Sequence, residues 1–157
     1  MKQPVAFFFS LAVLTALTSC RAKPPAPPSI QTVNCEVTVQ TGDAEYLLNV
    51  KKESDELASY RFCIPEEADG LTYEFIGSDR RVTFHGSELP AVPALCGVAD
   101  VLHAVLTLGA DAYCYEDGHF VAVGEQGQIQ LTVLPDGNVS QIEMQDAGIR
   151  YYFNYAP

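Results

Sequence analysis

From Thr32 onward apolar and polar residues alternate: Val33, Cys35, Val37 and Val39 are separated by Asn34, Glu36 and Thr38. A period of two sends successive side chains to opposite faces, so this stretch predicts a strand with one dry and one wet face. Thr41-Gly42-Asp43 predicts a turn, Tyr46, Leu48 and Val50 a second strand, and Lys51 to Glu56 a polar loop. Ala58, Tyr60, Phe62 and Ile64 predict a third strand, and Pro65 to Gly70 an acidic turn. Leu71, Tyr73 and Phe75 predict a fourth, Gly77 to Arg80 a turn, and Val82 with Phe84 a fifth. Five consecutive strands on short turns predict an antiparallel meander.

The period then changes. Leu95, Val98, Ala99, Leu102, Val105 and Leu106 recur at helical spacing, with Pro93 near the start and Gly109 placed to cap the end. Val101, Ala104 and Leu108 fill intervening positions, so the helix is apolar nearly all round, and Asp100, His103 and Thr107 form its only polar stripe. At roughly 16 residues it is too short to span a bilayer, and it most simply plugs the apolar face of a curved sheet.

Strand spacing resumes afterwards. Tyr113 to Glu116 and His119 to Gly124 flank Asp117-Gly118, a strong hairpin signal. Ile129, Leu131 and Val133 predict another strand, Pro135 to Asn138 a turn, and Val139 to Gln145 a return strand. Ile149, Tyr151, Phe153 and Tyr155 close the chain as an aromatic strand that is expected to pair with a neighbour to avoid leaving a sticky edge. The expectation is about nine strands and one main helix.

The start of the chain has a different character. Lys2 is a short basic region, Val5 to Leu17 an apolar run too short to cross a membrane, and Leu17-Thr18-Ser19-Cys20 reads as a lipobox. Residues 1–19 are expected to be a lipoprotein signal peptide and Cys20 the lipidated first residue of the mature chain, anchored on the extracytoplasmic face of a bacterial membrane. Residues 20–29 carry four prolines in Pro24-Pro25-Ala26-Pro27-Pro28 and predict a semi-rigid tether of about 25 to 30 Å, at roughly 3.1 Å per residue. Residues 30–157 are then one domain.

Without the signal, the chain carries 8 basic and 20 acidic side chains, a net charge of about −12. That sign argues against nucleic acid and against docking of the folded domain on anionic headgroups. The membrane contact is the N-terminal lipid alone. Cys35, Cys63, Cys96 and Cys114 remain, an even number in a chain bound for an oxidising face, so two disulfides are expected. Cys96 with Cys114 is favoured, because a helix start and the following strand can lie close, which leaves Cys35 with Cys63. The competing reading is that some are free, buried and apolar. Lacking any CxxC pair, they do not suggest zinc.

No catalytic pattern is present: there is no G-x-S-x-G elbow, H-E-x-x-H, Walker loop or dinucleotide fingerprint. His85, His103 and His119 are scattered over different elements, and Glu66-Glu67 and Glu116-Asp117 sit in turns. A non-enzymatic protein without metal or cofactor is expected. The strand aromatics have two readings: packing of the one face a sheet must bury, or the lining of a partly open apolar groove.

The order of elements, with Tyr60-Arg61-Phe62-Cys63-Ile64-Pro65, Gly70-Leu71-Thr72-Tyr73-Glu74-Phe75 and Val82-Thr83-Phe84 on successive strands, resembles the LolA, LolB and RseB superfamily and, more closely, small half-barrel lipoproteins of Firmicutes. The resemblance covers residues 32 to 155. It implies a mainly β (α+β) fold, a strongly curved antiparallel sheet or β half-barrel with an apolar helix covering the concave face. It also implies a groove for a lipid or lipoprotein acyl chain, or for a protein segment. The groove candidates are Tyr46, Tyr73, Phe75, Phe84, Leu102, Leu106, Tyr151 and Phe153. The second hypothesis is an interaction module with a filled core, whose acidic surface meets a basic protein partner. A monomer is expected in either case.

Overall fold

The computed structural model describes residues 25–28, 30–124 and 127–156. The signal region, the lipobox and Cys20 lie outside the described residues. Eleven strands form one antiparallel sheet, far more strand than helix: β1 (Val33–Thr41), β2 (Ala44–Ser54), β3 (Leu57–Ile64), β4 (Leu71–Ile76), β5 (Asp79–Phe84), β6 (Ser87–Glu88), β7 (Cys114–Glu116), β8 (His119–Gly124), β9 (Gly127–Val133), β10 (Val139–Met144) and β11 (Ile149–Asn154). The order across the sheet is β6-β5-β4-β3-β2-β1-β11-β10-β9-β8-β7. It is not closed, and its edges are the two shortest strands, which leave little backbone free to pair with another chain.

Two meanders therefore meet back to back. β1 pairs with β11 through Val37 opposite Phe153 and Val39 opposite Tyr151, so the first and last strands share the centre. The aromatic last strand pairs on both sides, with β1 and β10, one neighbour more than expected. Side chains at Val33, Cys35, Val37 and Val39, at Leu48, Val50 and Lys52, and at Ala58, Tyr60 and Phe62 are buried on one face, while their neighbours in sequence point to the other. One sheet face is thus dry and the other wet, the pattern that the alternation requires.

Strand positions agree with the sequence reading, and the differences have local causes. β2 runs through the expected loop as far as Ser54, because Lys51 points outward and Lys52 inward, continuing the alternation. The two-residue β6 is too short to carry a period. Asp117 and Gly118 both have positive φ, 48° and 91°, the backbone that makes an Asp-Gly pair suit a two-residue hairpin. Gly70 is needed for its φ of 86° and for space, since a Cβ there would come within 2.5 Å of the His85 ring.

The helix is shorter than expected. Single 3₁₀ turns flank α1 (Gly97–Leu106) at Ala94–Cys96 and Ala110–Ala112. Gly109 does not cap it, because its φ is −66° and it opens the second 3₁₀ turn. The cap is Thr107, whose hydroxyl donates to the carbonyl oxygens of His103 at 2.9 Å and Ala104 at 3.1 Å. Ala99, Leu102, Val105 and Leu106 are buried in the same cluster as the inward strand residues.

Candidate functional site

Polar side chains join α1 to the sheet. The expected polar stripe of the helix does not simply face water: two of its three members meet tyrosines. Tyr60 on β3 shares a 2.9 Å hydrogen bond with His103 Nδ1, and Tyr73 on β4 donates to Asp100 Oδ1 at 2.8 Å. Tyr151 on β11 donates to the Val98 carbonyl oxygen at 3.1 Å, and Tyr113 to that of Val105 at 3.2 Å. A tyrosine buries a large ring and still finds a polar partner, so these contacts anchor the helix without leaving orphan groups. Burial holds all four phenols protonated, pushing Tyr113 up to about 12 and the other three higher.

His103 is shifted in the opposite direction to the tyrosines. Burial, with the nearby Arg80 and Lys52 charges, lowers it from 6.5 to about 4, so it is neutral near pH 7. The Phe75 ring stacks on it with centroids 3.7 Å apart at 22°, and the Arg80 guanidinium lies 4.1 Å from the Phe75 centroid. Arg80 also approaches Asp100, at 3.9 Å. The set can bind and orient. It has no activated nucleophile, since each hydroxyl is held as the neutral form.

The groove candidates are core residues. Tyr73, Phe75, Leu102, Leu106, Tyr151 and Phe153 are buried, and Tyr46 and Phe84 are partly buried against the same cluster. All eight thus belong to the buried cluster or pack against it. An apolar opening lies at the flank of α1, between the helix and β8 to β10. Val101, Ala104 and Val105 of the helix, with Val123 of β8 and Ile129 of β9, line a hollow of about 550 Å³, and Arg80 and Asp100 form its polar rim. Val123 is 83% exposed, a large apolar side chain left at the rim. The helix being apolar all round was the signal for this hollow: Val101, Ala104 and Leu108 form its second apolar stripe.

All four remaining cysteines are thiols in the structure. Cys35 points into the core from β1, whereas Cys63 points to the opposite face from β3 and accepts a hydrogen bond from Asn49 Nδ2 at 3.1 Å. β2 lies between them, so the expected Cys35–Cys63 pair is not brought together. Cys96 is buried at the start of α1 and Cys114 exposed on the β7 edge. Burial raises Cys35 and Cys96 to about 11, away from reactive thiolate.

The histidines stay on separate elements, His85 after β5, His103 on α1 and His119 on β8, where its Nδ1 lies 3.4 Å from Thr132 Oγ1. Among the described residues no group of three or more His, Cys, Asp or Glu side chains could hold a metal ion, and no helix is long and apolar enough to cross a membrane. No protein-family model and no curated protein matches the chain.

Proposed function

We propose that this protein is a bacterial lipoprotein, held by Cys20 on the extracytoplasmic face of a membrane, whose sheet curls into an open half-barrel around α1 and binds an apolar chain along the flank of that helix. It acts by binding, without catalysis and without a cofactor, and its ligand is an acyl chain or an apolar protein segment. The reading rests on one juxtaposition. Arg80 on β5 and Val123 on β8 border the same hollow although their strands are eight steps apart in the sheet. In a flat sheet eight steps span about 38 Å, at roughly 4.8 Å per strand, so strong curvature is the simple way to bring both wings to one hollow. Its volume lies within the range for small-ligand sites, roughly 300 to 1,000 Å³, and its walls are mainly apolar with few polar groups at the rim.

The filled core beneath the helix supports the second reading, an acidic interaction module that meets a basic protein partner. One measurement separates the two. Full-length chain made with Cys20→Ser, so that it carries no lipid of its own, is purified without detergent and incubated with palmitic acid or a diacyl phospholipid before native mass spectrometry. The groove reading expects a retained ligand mass that disappears with Ala104→Glu or Val123→Glu, both at exposed positions. A bare mass under every condition overturns it and leaves the interaction module.

A further inference from the structure

The Pro-rich stretch does not hang free of the domain. Pro28 is buried and Ile30 packs against the core. Lys52, 1% exposed, donates through Nζ to the carbonyl oxygens of Ile30 at 2.7 Å and Gln31 at 3.1 Å, with Asp55 Oδ1 at 2.7 Å as its counterion. A buried ammonium needs this many acceptors, and two of them come from the chain just before β1. Farther out, Pro25 and Ala26 line a hollow of about 380 Å³ whose other walls include Tyr115, Phe120, Val133 and Leu134. The Tyr115 and Phe120 rings meet edge to face at 5.1 Å, and Tyr115 is 41% exposed.

Aromatic-lined slots recognise polyproline helices because the proline rings present flat apolar surface and the extended form is largely made before it docks. We propose that the chain's own Pro25–Pro28 segment rests against the Tyr115 side of the domain, where Pro25 and Ala26 form one wall of this hollow, and that this contact and the Lys52 clamp together latch the domain close to its membrane in one orientation. The membrane part of this proposal rests on Cys20 being the lipidated residue. With Pro25 docked, the five residues back to Cys20 reach at most about 17 Å. Released as far as Ile30, ten residues of polyproline helix reach about 31 Å. The latch also turns one end of the sheet toward the bilayer, the end carrying the Asp55-Glu56, Gly77-Ser78, Asp117-Gly118 and Pro135–Asn138 turns, because antiparallel pairing puts these at the same end as the start of β1.

The chain has no tryptophan, so Tyr115→Trp introduces a single reporter that keeps an aromatic ring in the hollow. In the unlipidated Cys20→Ser chain, replacing Pro25, Ala26 and Pro27 by serine is expected to raise acrylamide quenching of that tryptophan about twofold, as the ring loses its cover. All three positions are exposed, so the core stays intact. Unchanged quenching overturns the latch. The lipidated protein with the same reporter, in phosphatidylcholine vesicles carrying a trace of dansyl-labelled lipid, is expected to lose energy transfer when the three serines are present, the domain moving out by about 14 Å. Changed quenching with unchanged transfer overturns the orienting role while leaving the contact. A chain that never gains a lipid mass on Cys20 overturns the membrane reading and leaves the quenching result standing by itself.

Discussion

Tyr60 on β3 and His103 on α1 share a buried 2.9 Å hydrogen bond between side chains forty-three residues apart. The imidazole is held neutral there, because burial and the Arg80 and Lys52 charges oppose a proton. The unfolded chain binds that proton near pH 6.5 and the folded chain only near 4. Between those values the unfolded state carries more protons, so stability falls as pH drops through the window and this contribution is complete above about 6.5. The loss by pH 4 is on the order of 3 kcal/mol. Urea denaturation at pH 7, 5.5 and 4.5 is expected to show the stability gap between wild type and His103→Asn narrowing with acid. A gap constant with pH would mean that His103 titrates normally.

Removing the phenolic hydroxyl tests the same seam from the sheet side. Tyr60→Phe leaves His103 Nδ1 without its tyrosine partner and is expected to cost about 1–3 kcal/mol. Tyr73→Phe strips a bond from Asp100, whose side chain is half exposed and can take water instead, so its cost is expected to stay below about 1 kcal/mol. Equal costs in denaturant titrations would contradict this assignment of burial.

The two sides of α1 respond differently to substitution. Leu102 is fully buried against the sheet, and Leu102→Ala is expected to cost about 2–5 kcal/mol. Ala104 lies two residues on, roughly 200° around the helix, and borders the hollow, so Ala104→Leu is expected to change stability by no more than about 0.5 kcal/mol while blocking any ligand. Thermal midpoints measured with and without added palmitic acid check both halves.

Thiol labelling follows exposure. Maleimide is expected to modify Cys114 first and Cys63 more slowly, and to reach Cys35 and Cys96 only on unfolding, as read by intact mass over time. In the Cys20→Ser protein, a chain four hydrogens lighter than the reduced mass, with no labelling at all, would instead establish two disulfides.

Much of the sheet was legible because a strand's period is local. Val33 to Val39 and Tyr60 with Phe62 declare their buried face within a few residues, and Asp117-Gly118 declares its hairpin within two. Lys52 falls in a predicted loop because lysine is ordinarily exposed. Its acceptors at Ile30 and Gln31 are twenty-two and twenty-one residues away, beyond any window of periodicity. The helix end was misplaced because glycine is the commonest C-cap, whereas here a threonine hydroxyl takes the last carbonyls first.

Residues close in sequence thus decide which segments are strands, which face of each is dry, where hairpins turn, and that α1 is apolar all round. They do so through side-chain alternation and backbone preference, which act over a few residues. Strand order, the seat of β11 beside β1, and the hollow shared by Arg80 and Val123 come only from tertiary structure. These depend on pairing and burial between segments tens of residues apart, where each contact is one of many that the same local pattern would allow. The aromatic strands announce a surface in need of packing, and the folded chain decides that Leu102 and Leu106 join their buried cluster while Ala104 stays exposed.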